Sequence, residues 1–392
     1  MNKKSILFII DSLHIGGAEK SLVSLLNNID FSIYDIHLIM FKKGGELENL
    51  LPQSVNILET PGYFLATRNN GIKQFLYTFF RLKTSIKLRL NKFRKDPFHS
   101  EQVVYESIKT ILNPIEKRYD VAIAYSQGMP TYFVCDKVNS GKKIAWINTD
   151  YKNTLYNKDL DYSFYQKFNE IIAVSENTRE SVVHSKEEYK DKLDVIKDIV
   201  DPELIIRMSN EYSVSEFEKS HINILTVGRL ATVKGYDKAI KVAALLKEEG
   251  YKFKWVVVGE GPERHKLQTQ INKLNLNDHF LLIGEKLNPY VYMKSCDIYV
   301  QTSLKEGFGL TVSEAKILKR PIICTNFPTA KEIINHEIDG LIVEHDIHSI
   351  FKGVKRCIDD DAFRARIVNN LEISKKYNTL NEIGQFYKKI NG

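Results

Sequence analysis

Two glutamates around a flexible turn are the residues whose types and spacing most strongly suggest chemistry. Glu306 and Glu314 are separated by seven residues in SLKEGFGLTVSEA (303–315), a stretch with two glycines followed by an apolar run. A strand-like run, DIYVQTS (297–303), comes immediately before, so a helix is predicted to begin after the turn. The start of a helix attracts negative charge. Two carboxylates placed there therefore suggest a ligand rather than packing alone.

Two positively charged side chains follow another predicted strand. Arg229 and Lys234 come shortly after Gly228 in VGRLATVKGYD (227–237), with no acidic residue in the sequence until Asp237. Arginine and lysine both bind phosphate oxygens, and a glycine turn lets the backbone approach the same group. This stretch therefore suits a diphosphate.

Glycines also end two other predicted strands, in VVVGEGPER (256–264) and DSLHIGGAE (11–19). The first N–H groups of a following helix lack intrahelical partners and attract anions. A single glycine turn of this kind is common in α/β proteins, but the order and spacing of these turns together are a more specific signal than any one of them. Because ligands bind beyond the carboxyl ends of parallel strands, these glycines are predicted to border a ligand site: Gly16, Gly17 and Gly259.

The elements that must position these residues alternate between short β-rich runs and helical segments. After Lys234, Tyr236, Ile240, Ala243 and Leu246 repeat at the spacing of a helix with one buried face. Near-continuous apolar strands indicate parallel sheets covered on both faces, which predicts two doubly wound α/β domains. The predicted strands are SILFII (5–10), DIHLIMF (35–41), VNILE (55–59), DVAIAY (120–125), KKIAWI (142–147), EIIAVS (170–175), INILTVG (222–228), FKWVVVG (253–259), HFLLIG (279–284), DIYVQTS (297–303), PIICT (321–325) and GLIV (340–343).

Composition agrees with a folded, two-domain protein. The chain has 392 residues, 43% of them hydrophobic and 27% charged, with a modest formal net charge of +7. The short N-terminal apolar run reaches Asp11 quickly, so it is predicted to be a first buried strand rather than a signal peptide, and no apolar stretch is long enough to span a bilayer. Four scattered cysteines without a CxxC pair indicate buried thiols in a reducing cytoplasm rather than metal ligands: Cys135, Cys296, Cys324 and Cys357.

The boundary between the domains is predicted near residue 200, in VIKDIVDPELI (195–205). We therefore expect a first domain of residues 1–200 and a second of residues 201–372. A C-terminal helical stretch, residues 373–392, is expected to pack back toward the first domain.

The segment QFLYTFFRLKTSIKLRLNKFRKDPF (74–98) does not fit a doubly wound pattern. Basic residues alternating with Phe, Leu and Ile at helical spacing favour a helix that lies on an anionic membrane surface. A solvated helical insertion whose aromatic residues fill the core is the alternative. Nucleic acid is a third interpretation, but no recognition motif supports it. The segment has no acidic residue before Asp96 and contains Arg81, Lys83, Lys87, Arg89, Lys92, Arg94 and Lys95.

Together these motifs resemble the large retaining glycosyltransferase family numbered four. Its members have the GT-B architecture, in which two Rossmann-like domains flank a cleft and a C-terminal helix crosses back. The resemblance covers nearly the whole chain and is strongest from about residue 222 to residue 343. The matching motifs stand in the family's order: GRL…KG, GEGP, the paired-glutamate element EGFGLTVSEA, PTAKEII and DGLIV.

The resemblance implies a role for each part of the site. Glu314 would hold the ribose hydroxyls of a nucleotide sugar, and Glu306 the hydroxyls of the donor sugar. Arg229 and Lys234 would balance the charge that grows on the leaving diphosphate, so these two cations and Glu306 are the predicted catalytic residues. The resemblance also implies that the nucleotide-sugar donor is a co-substrate rather than a cofactor and that no metal is needed. The other predicted donor-binding residues are Phe308, Gly309, Leu310, Gly228, Gly259, Gly16, Gly17 and, for the nucleobase, Lys286.

The segment KKIAWINTDY (142–151) departs from the family at Asn148, where many relatives have histidine. Asparagine cannot exchange a proton near neutral pH, so the substitution bears on acceptor chemistry or rate. Asp150 and His14 complete the predicted acceptor side. The DLD of residues 159–161 resembles the metal motif of the other transferase fold, but it lies in a predicted polar linker and is taken as a chance match.

The sequence therefore predicts a retaining, metal-independent glycosyltransferase. It would move a hexose or N-acetylhexosamine from a nucleotide sugar, a UDP-sugar by preference, to a glycan or polyprenyl-linked acceptor in bacterial surface polysaccharide synthesis. We expect a cytoplasmic location with peripheral attachment to the inner membrane face and no nucleic-acid partner. Two alternatives stay open: a non-catalytic partner that binds nucleotide sugar, and a sugar-nucleotide epimerase. A Rossmann oxidoreductase is disfavoured because Arg264 replaces the third glycine of GxGxxG.

Overall fold

The computed structural model describes residues 3–65, 72–373 and 379–392, without the side chains of residues 72 and 73. The chain forms two compact units. The first comprises Met1–Ile199 with Leu380–Gly392, and the second comprises Val200–Thr379.

The first unit is built on a seven-stranded parallel sheet in the order β3-β2-β1-β4-β5-β6-β7. Its first strand in the chain is apolar and buried from Ile6 to Ile10, because both faces of a doubly wound sheet are covered by helices. The strands are β1 (Lys4–Ile10), β2 (Tyr34–Met40), β3 (Asn56–Ile57), β4 (Ile115–Ala124), β5 (Val138–Ile147), β6 (Glu170–Ala173) and β7 (Leu193–Val195). The helices of this part of the chain are α1 (Gly17–Asn27), α2 (Ile72–Asn91), α3 (Ser100–Ile108), α4 (Met129–Lys137), α5 (Lys158–Tyr165) and α6 (Glu176–Ser185).

The second unit repeats the plan with six strands in the order β10-β9-β8-β11-β12-β13, again all parallel. The strands are β8 (Ile222–Val227), β9 (Phe253–Val258), β10 (Phe280–Leu282), β11 (Ile298–Gln301), β12 (Ile322–Thr325) and β13 (Leu341–Val343). The helices are α7 (Pro202–Met208), α8 (Tyr236–Glu248), α9 (Arg264–Lys273), α10 (Tyr290–Ser295), α11 (Leu310–Ile317), α12 (Ala330–Ile333), α13 (Ile347–Asp359) and α14 (Asp361–Ile373).

The prediction of two doubly wound parallel sheets is confirmed. Every strand expected from an apolar run is present, and the four apolar positions predicted for α8 are buried. The short strand β7 was not predicted, because three residues carry too little periodicity to be distinguished from a loop. The four cysteines are buried free thiols, as expected.

A last helix, α15 (Glu382–Asn391), packs within the first unit. Phe386 stacks on Phe8 of β1 with ring centroids 6.0 Å apart. Lys389 Nζ lies 2.6 Å from Glu170 and 2.8 Å from Asp194, which tie the helix to β6 and β7. Of the predicted helical stretch, residues 374–378 lie outside the described residues.

The expected linker around DLD is wrong. Residues 159–161 lie in α5, and Asp161 is only 2% exposed. Its carboxylate accepts hydrogen bonds from the hydroxyls of Tyr132 and Tyr151, both 2.5 Å away, and from the Gln102 amide at 2.7 Å. The stretch looks like a polar linker in the sequence, because the residues that donate to Asp161 lie elsewhere in the chain. In the fold these donors satisfy the buried carboxylate, so the stretch has a structural role.

Candidate functional site

Three neighbouring strands of the second sheet end in glycines whose backbones touch. Gly228 N donates to Val258 O at 3.0 Å, and Gly259 N donates to Gly284 O at 2.9 Å. A Cβ on Gly259, whose φ is +153°, would lie 2.0 Å from Gly228 O. The strand ends therefore approach more closely than any side chain allows. This leaves a bare backbone edge where parallel sheets bind ligands.

Lys234 and Glu306 form an ion pair beside this edge. Lys234 Nζ lies 2.7 Å from both Glu306 oxygens, and the side chains are only 18% and 10% exposed. Gly235 makes the approach feasible, because a Cβ there would lie 2.2 Å from Thr302 O. Lys234 therefore has an acidic partner in the fold, although no acidic residue follows it in the sequence before Asp237. The partner comes from 72 residues further along the chain, where local sequence could not reveal it.

Glu314 lies on α11 and is 2% exposed. The Tyr290 hydroxyl donates to Glu314 Oε1 at 2.9 Å. Gly309 caps α11 with φ +98°, and a Cβ there would lie 2.8 Å from Ile333, so only glycine suits this start. The buried Phe308 precedes it. The Val312 and Ser313 amides donate to the Gly309 carbonyl, whereas the amides before them precede the first carbonyl of the helix.

The remaining donor-side residues differ in accessibility. Arg229 follows Gly228 directly, and its side chain is exposed. Leu310, at the start of α11, and Lys286, after Gly284, are half-buried. The second unit thus brings Lys234 and Glu306 into contact, and it leaves Arg229 accessible to a ligand.

At the start of α1, the space beside Gly16 is filled by the protein itself. A Cβ on Gly16 would lie 2.1 Å from Glu19 Oε2, so this glycine makes room for that carboxylate. Burial raises the pKa of Glu19. His14 pairs with Glu46 at 3.0 Å from its Nδ1. The donor role of Gly16 and Gly17 stays a prediction, and a ligand at this helix start would have to displace Glu19.

The two other acceptor-side residues bond within the first unit. Asn148 Nδ2 donates to Tyr125 O at 2.8 Å, whereas its Oδ1 is buried and accepts no hydrogen bond within the described residues. Asp150 accepts from Ser181 Oγ at 2.6 Å and from Asn153 Nδ2 at 2.7 Å. Asp150 therefore shapes its own loop, and its role toward an acceptor stays a prediction.

Sequence reasoning missed Asp11, the residue directly after β1. Burial, with a smaller contribution from the Glu101 carboxylate, raises the pKa of Asp11 to about 7. Ser126 Oγ donates to it at 3.2 Å. A half-buried carboxyl group that exchanges protons near neutral pH is a candidate functional group. The position of Asp11 in the sequence could have identified it, because a polar residue at the end of a buried parallel strand lies at the ligand-binding edge of the sheet.

Helix α2 presents two different faces. Tyr77 and Phe80 pack against the core of the first unit, and Thr84 is 5% exposed. The opposite face carries a row of apolar residues at helical spacing, each half or more exposed: Phe75, Phe79, Leu82, Ile86 and Leu90. Lys83, Lys87 and Arg89 on the same helix are also exposed. Aromatic residues therefore fill the core on one side only, and we call the exposed row with its lysines and arginine the α2 surface.

The described residues contain neither a metal-binding group of side chains nor a helix that could span a membrane. Within residues 3–65, 72–373 and 379–392, no three His, Cys, Asp or Glu side chains are grouped to hold a metal ion. In the same part of the chain, every helix is too short or too polar to span a bilayer.

The fold and the glycine-lined sheet edge define a class: α/β proteins with two Rossmann-like domains. More particularly, residues 209–373 match the family model described as glycosyl transferases group 1. The matched residues all lie within the second unit.

Two curated relatives from Campylobacter jejuni align over almost the whole chain. One, 27% identical over 94% of this chain and 93% of the relative, is an N-acetylgalactosamine-N,N'-diacetylbacillosaminyl-diphospho-undecaprenol 4-alpha-N-acetylgalactosaminyltransferase. The other, 24% identical over 98% of this chain and 97% of the relative, is a GalNAc-alpha-(1->4)-GalNAc-alpha-(1->3)-diNAcBac-PP-undecaprenol alpha-1,4-N-acetyl-D-galactosaminyltransferase.

Among solved structures, Anabaena HepE in complex with UDP and glucose superposes with a TM-score of 0.71. The two chains are 17% identical, and the match covers 99% of each. This likeness confirms the GT-B type of fold expected from the sequence.

Proposed function

We propose that this protein is a retaining glycosyltransferase of bacterial surface polysaccharide synthesis. It transfers a hexose or N-acetylhexosamine from a nucleotide sugar, a UDP-sugar by preference, to a polyprenyl-linked or other glycan acceptor. The observation that carries the proposal is the Lys234–Glu306 pair beside the glycine strand ends, inside the matched domain. The undecaprenol-linked substrates in the names of the Campylobacter relatives support the acceptor class.

In this proposal the negatively charged and the positively charged site residues have different roles. Glu306 accepts hydrogen bonds from hydroxyls of the donor sugar, and Glu314 accepts them from the ribose. Lys234 and Arg229 stabilise the negative charge that grows on the diphosphate as its bond to the anomeric carbon breaks. The acceptor oxygen bonds to that carbon on the same face, and its proton passes to the departing phosphate oxygen. These cations take the place of a divalent metal, so the reaction proceeds without one.

The first test combines ligand binding with product analysis. We expect UDP to raise the unfolding temperature most among nucleoside diphosphates, since a ligand at about 100 times its Kd adds about 2.7 kcal/mol to native stability. Incubation with α-linked UDP-hexoses or UDP-N-acetylhexosamines and a polyprenyl-diphosphate glycan should yield an α-linked product, read from the anomeric proton coupling. Excess chelator should leave the rate unchanged. A β-linked product or a chelator-sensitive rate would contradict the retaining or the metal-independent part separately.

A non-catalytic nucleotide-sugar-binding partner is the second candidate, and Asn148 favours it. Its amide bonds to the Tyr125 carbonyl and cannot exchange a proton near neutral pH. Stabilisation by UDP together with the absence of turnover on every polyprenyl-linked acceptor tried would support this candidate over the enzyme.

We further propose that the α2 surface lies on the anionic inner face of the cytoplasmic membrane. Five large apolar side chains exposed on one side of a helix are costly in water, and the lysines beside them complement anionic headgroups. This arrangement would place the protein at the surface where a polyprenyl-linked acceptor resides.

The membrane proposal predicts binding to vesicles rich in phosphatidylglycerol, measured by co-sedimentation. Replacing Leu82 and Leu90, each 62% exposed, with Glu should weaken binding at least about tenfold, because each Leu loses roughly 1.5–3 kcal/mol of burial in lipid. Leu155→Glu is the matched control, since Leu155 is 81% exposed outside α2. Equal losses in both variants, or an unbound wild-type protein, would contradict the assignment of this surface.

A further inference from the structure

The Glu306 carboxylate is held by more than its lysine. Its Oε1 accepts hydrogen bonds from Ser303 Oγ at 2.6 Å and from Gln301 Nε2 at 3.0 Å, besides that from Lys234 at 2.7 Å. Its Oε2 accepts only from Lys234 among the described residues. Because each carboxylate oxygen has about two lone pairs, Oε1 is saturated and Oε2 retains capacity for a further donor.

Gln301 is in turn oriented by a buried tyrosine. The Tyr299 hydroxyl donates to Gln301 Oε1 at 2.8 Å, and Gln301 Nε2 also donates to Ser303 Oγ at 2.8 Å. An amide has one accepting end and one donating end, so fixing the oxygen directs the NH₂ group toward Glu306. Tyr299 is 0% exposed and Gln301 is 1% exposed, so solvent does not compete for these bonds.

The tyrosine is suited to this task. Burial raises the pKa of Tyr299 well above its usual value, although a hydrogen bond with Thr311 acts in the opposite direction. The hydroxyl therefore stays protonated and can donate to the glutamine at any pH at which the protein works. Tyr299 and Gln301 both lie on β11, so the rigid sheet fixes their relative positions.

We propose that Gln301, oriented by Tyr299, is a positioning residue that turns Oε2 of Glu306 toward the donor-sugar hydroxyls. The inference rests on the proposed function, because it assigns the supporting residues of that same site. Gln301 acts only through Glu306, so its loss should affect recognition and transfer of the sugar but not recognition of the nucleotide.

The test uses the full-length protein with Gln301→Met, Tyr299→Phe and the double variant. Calorimetry with UDP and with a UDP-sugar separates nucleotide affinity from the extra affinity that the sugar contributes. Slow donor hydrolysis gives kcat/KM. We expect Gln301→Met to lower kcat/KM about 10- to 100-fold, because a hydrogen bond to a charged group is lost, while the Kd for UDP changes less than about twofold. Tyr299→Phe should lower kcat/KM about 3- to 10-fold, since the amide is retained but less well oriented.

The double variant distinguishes two cases. In the first, which we call the relay, Tyr299 acts on Glu306 only through Gln301; in the second, the two substitutions have independent structural effects. If Tyr299 acts through Gln301, the double variant should be no worse than Gln301→Met, whereas multiplied losses would overturn the relay. Tyr105→Phe is the control, because Tyr105 is fully buried in the first unit and donates to Asp136 at 3.0 Å. It should leave kcat/KM unchanged. If Gln301→Met does not fold, Tyr299→Phe alone carries the test.

Failure of the relay is distinguishable from failure of the proposed function. A wild-type protein that turns over UDP-sugar, with unchanged kcat/KM in Gln301→Met and Tyr299→Phe, overturns the relay alone. A wild-type protein that binds UDP-sugar more tightly than UDP without turnover removes the proposed reaction, and the loss of that difference in Gln301→Met still supports the relay. A wild-type protein that binds neither ligand overturns both.

Discussion

Replacing Glu306 with Gln is expected to lower sugar transfer by about 10²- to 10³-fold, the range typical for removing one preorganised electrostatic contact. The substitution keeps the shape of the side chain but removes its charge, and one carboxylate oxygen becomes an NH₂ group. The Lys234 ammonium, now 2.7 Å from both carboxylate oxygens, would face a neutral amide. The variant would therefore lose both the proposed hydrogen bond to the sugar hydroxyl and the ion pair that places Lys234.

The same substitution should strengthen the binding of UDP. In the wild-type protein, Glu306 neutralises much of the positive charge that Lys234 offers to a diphosphate, and the variant removes that competition. Low turnover combined with tighter UDP binding would be difficult to obtain from misfolding, which weakens both. Initial rates with UDP-sugar and calorimetry with UDP measure the two effects.

Glu249→Gln is the matched control for this experiment. Glu249 pairs with Lys355 at 2.8 Å, but the pair is exposed and joins the residue directly after α8 to α13 rather than lying at the strand ends. Exposed pairs contribute little, so turnover and UDP affinity should both stay at wild-type values. If Glu306→Gln behaves like Glu249→Gln, the carboxylate takes no part in the reaction.

The sequence predicted the parts of the site that depend on local pattern. Gly228 and Gly259 were predicted because a glycine after an apolar strand is a local signal, and Gly309 was predicted from the resemblance of EGFGLTVSEA to the family motif. The structure places each where a Cβ would clash or strain the backbone. Apolar runs located the strands for the same reason. Local pattern therefore suffices for most of the framework.

The contacts that organise the site could not be predicted in this way. Lys234 meets Glu306 only because Gly235 and Thr302 touch where β8 and β11 lie side by side in the sheet. Residues 72 positions apart leave no joint signature in a single sequence. Asp11 was missed for the opposite reason, since its position after β1 was visible but its burial, which raises its pKa, was not.

Helix α2 has a similar mixture of basic and apolar residues along its length, but tertiary packing buries only one of its faces. The sequence offered core filling and membrane contact as alternatives for the whole segment. Tyr77 and Phe80 point to the core, while Phe75 and Phe79 lie on the exposed side of the same helix. Helical spacing separates these two sets, so core filling applies to one face, and the proposed membrane contact concerns the opposite face.

The largest effect on stability is expected at Lys316, on the helix that carries Glu314. Lys316 Nζ lies 2.8 Å from Asp339 Oδ2 and donates to Ile333 O at 2.6 Å, and the paired side chains are only 8% and 7% exposed. Lys316→Met would leave the Asp339 carboxylate buried without its counter-charge. Breaking such a pair costs about 3–5 kcal/mol, so the second unit should unfold at markedly lower denaturant concentration.

The two tryptophans allow this loss to be assigned to one unit. Trp146 lies in the first unit and Trp255 in the second, both essentially fully buried. In a Trp146→Phe background, fluorescence during denaturant unfolding reports the second unit alone. Lys247→Met is the control, because Lys247 is exposed and its ammonium donates to the Asn275 carbonyl rather than to a carboxylate among the described residues.

The double variant Lys316→Met with Asp339→Asn tests the electrostatic cause. With neither charge buried, it should be more stable than the sum of the two single losses implies, since a neutral amide costs less to bury than an unpaired carboxylate. If the losses simply add, the lysine stabilises α11 through its stem and its bond to Ile333 O instead. In the first case the ion pair holds α11 in place, and the position of Glu314, two residues before Lys316, depends on that pair. In the second case the lysine stem and its hydrogen bond to Ile333 O hold the helix.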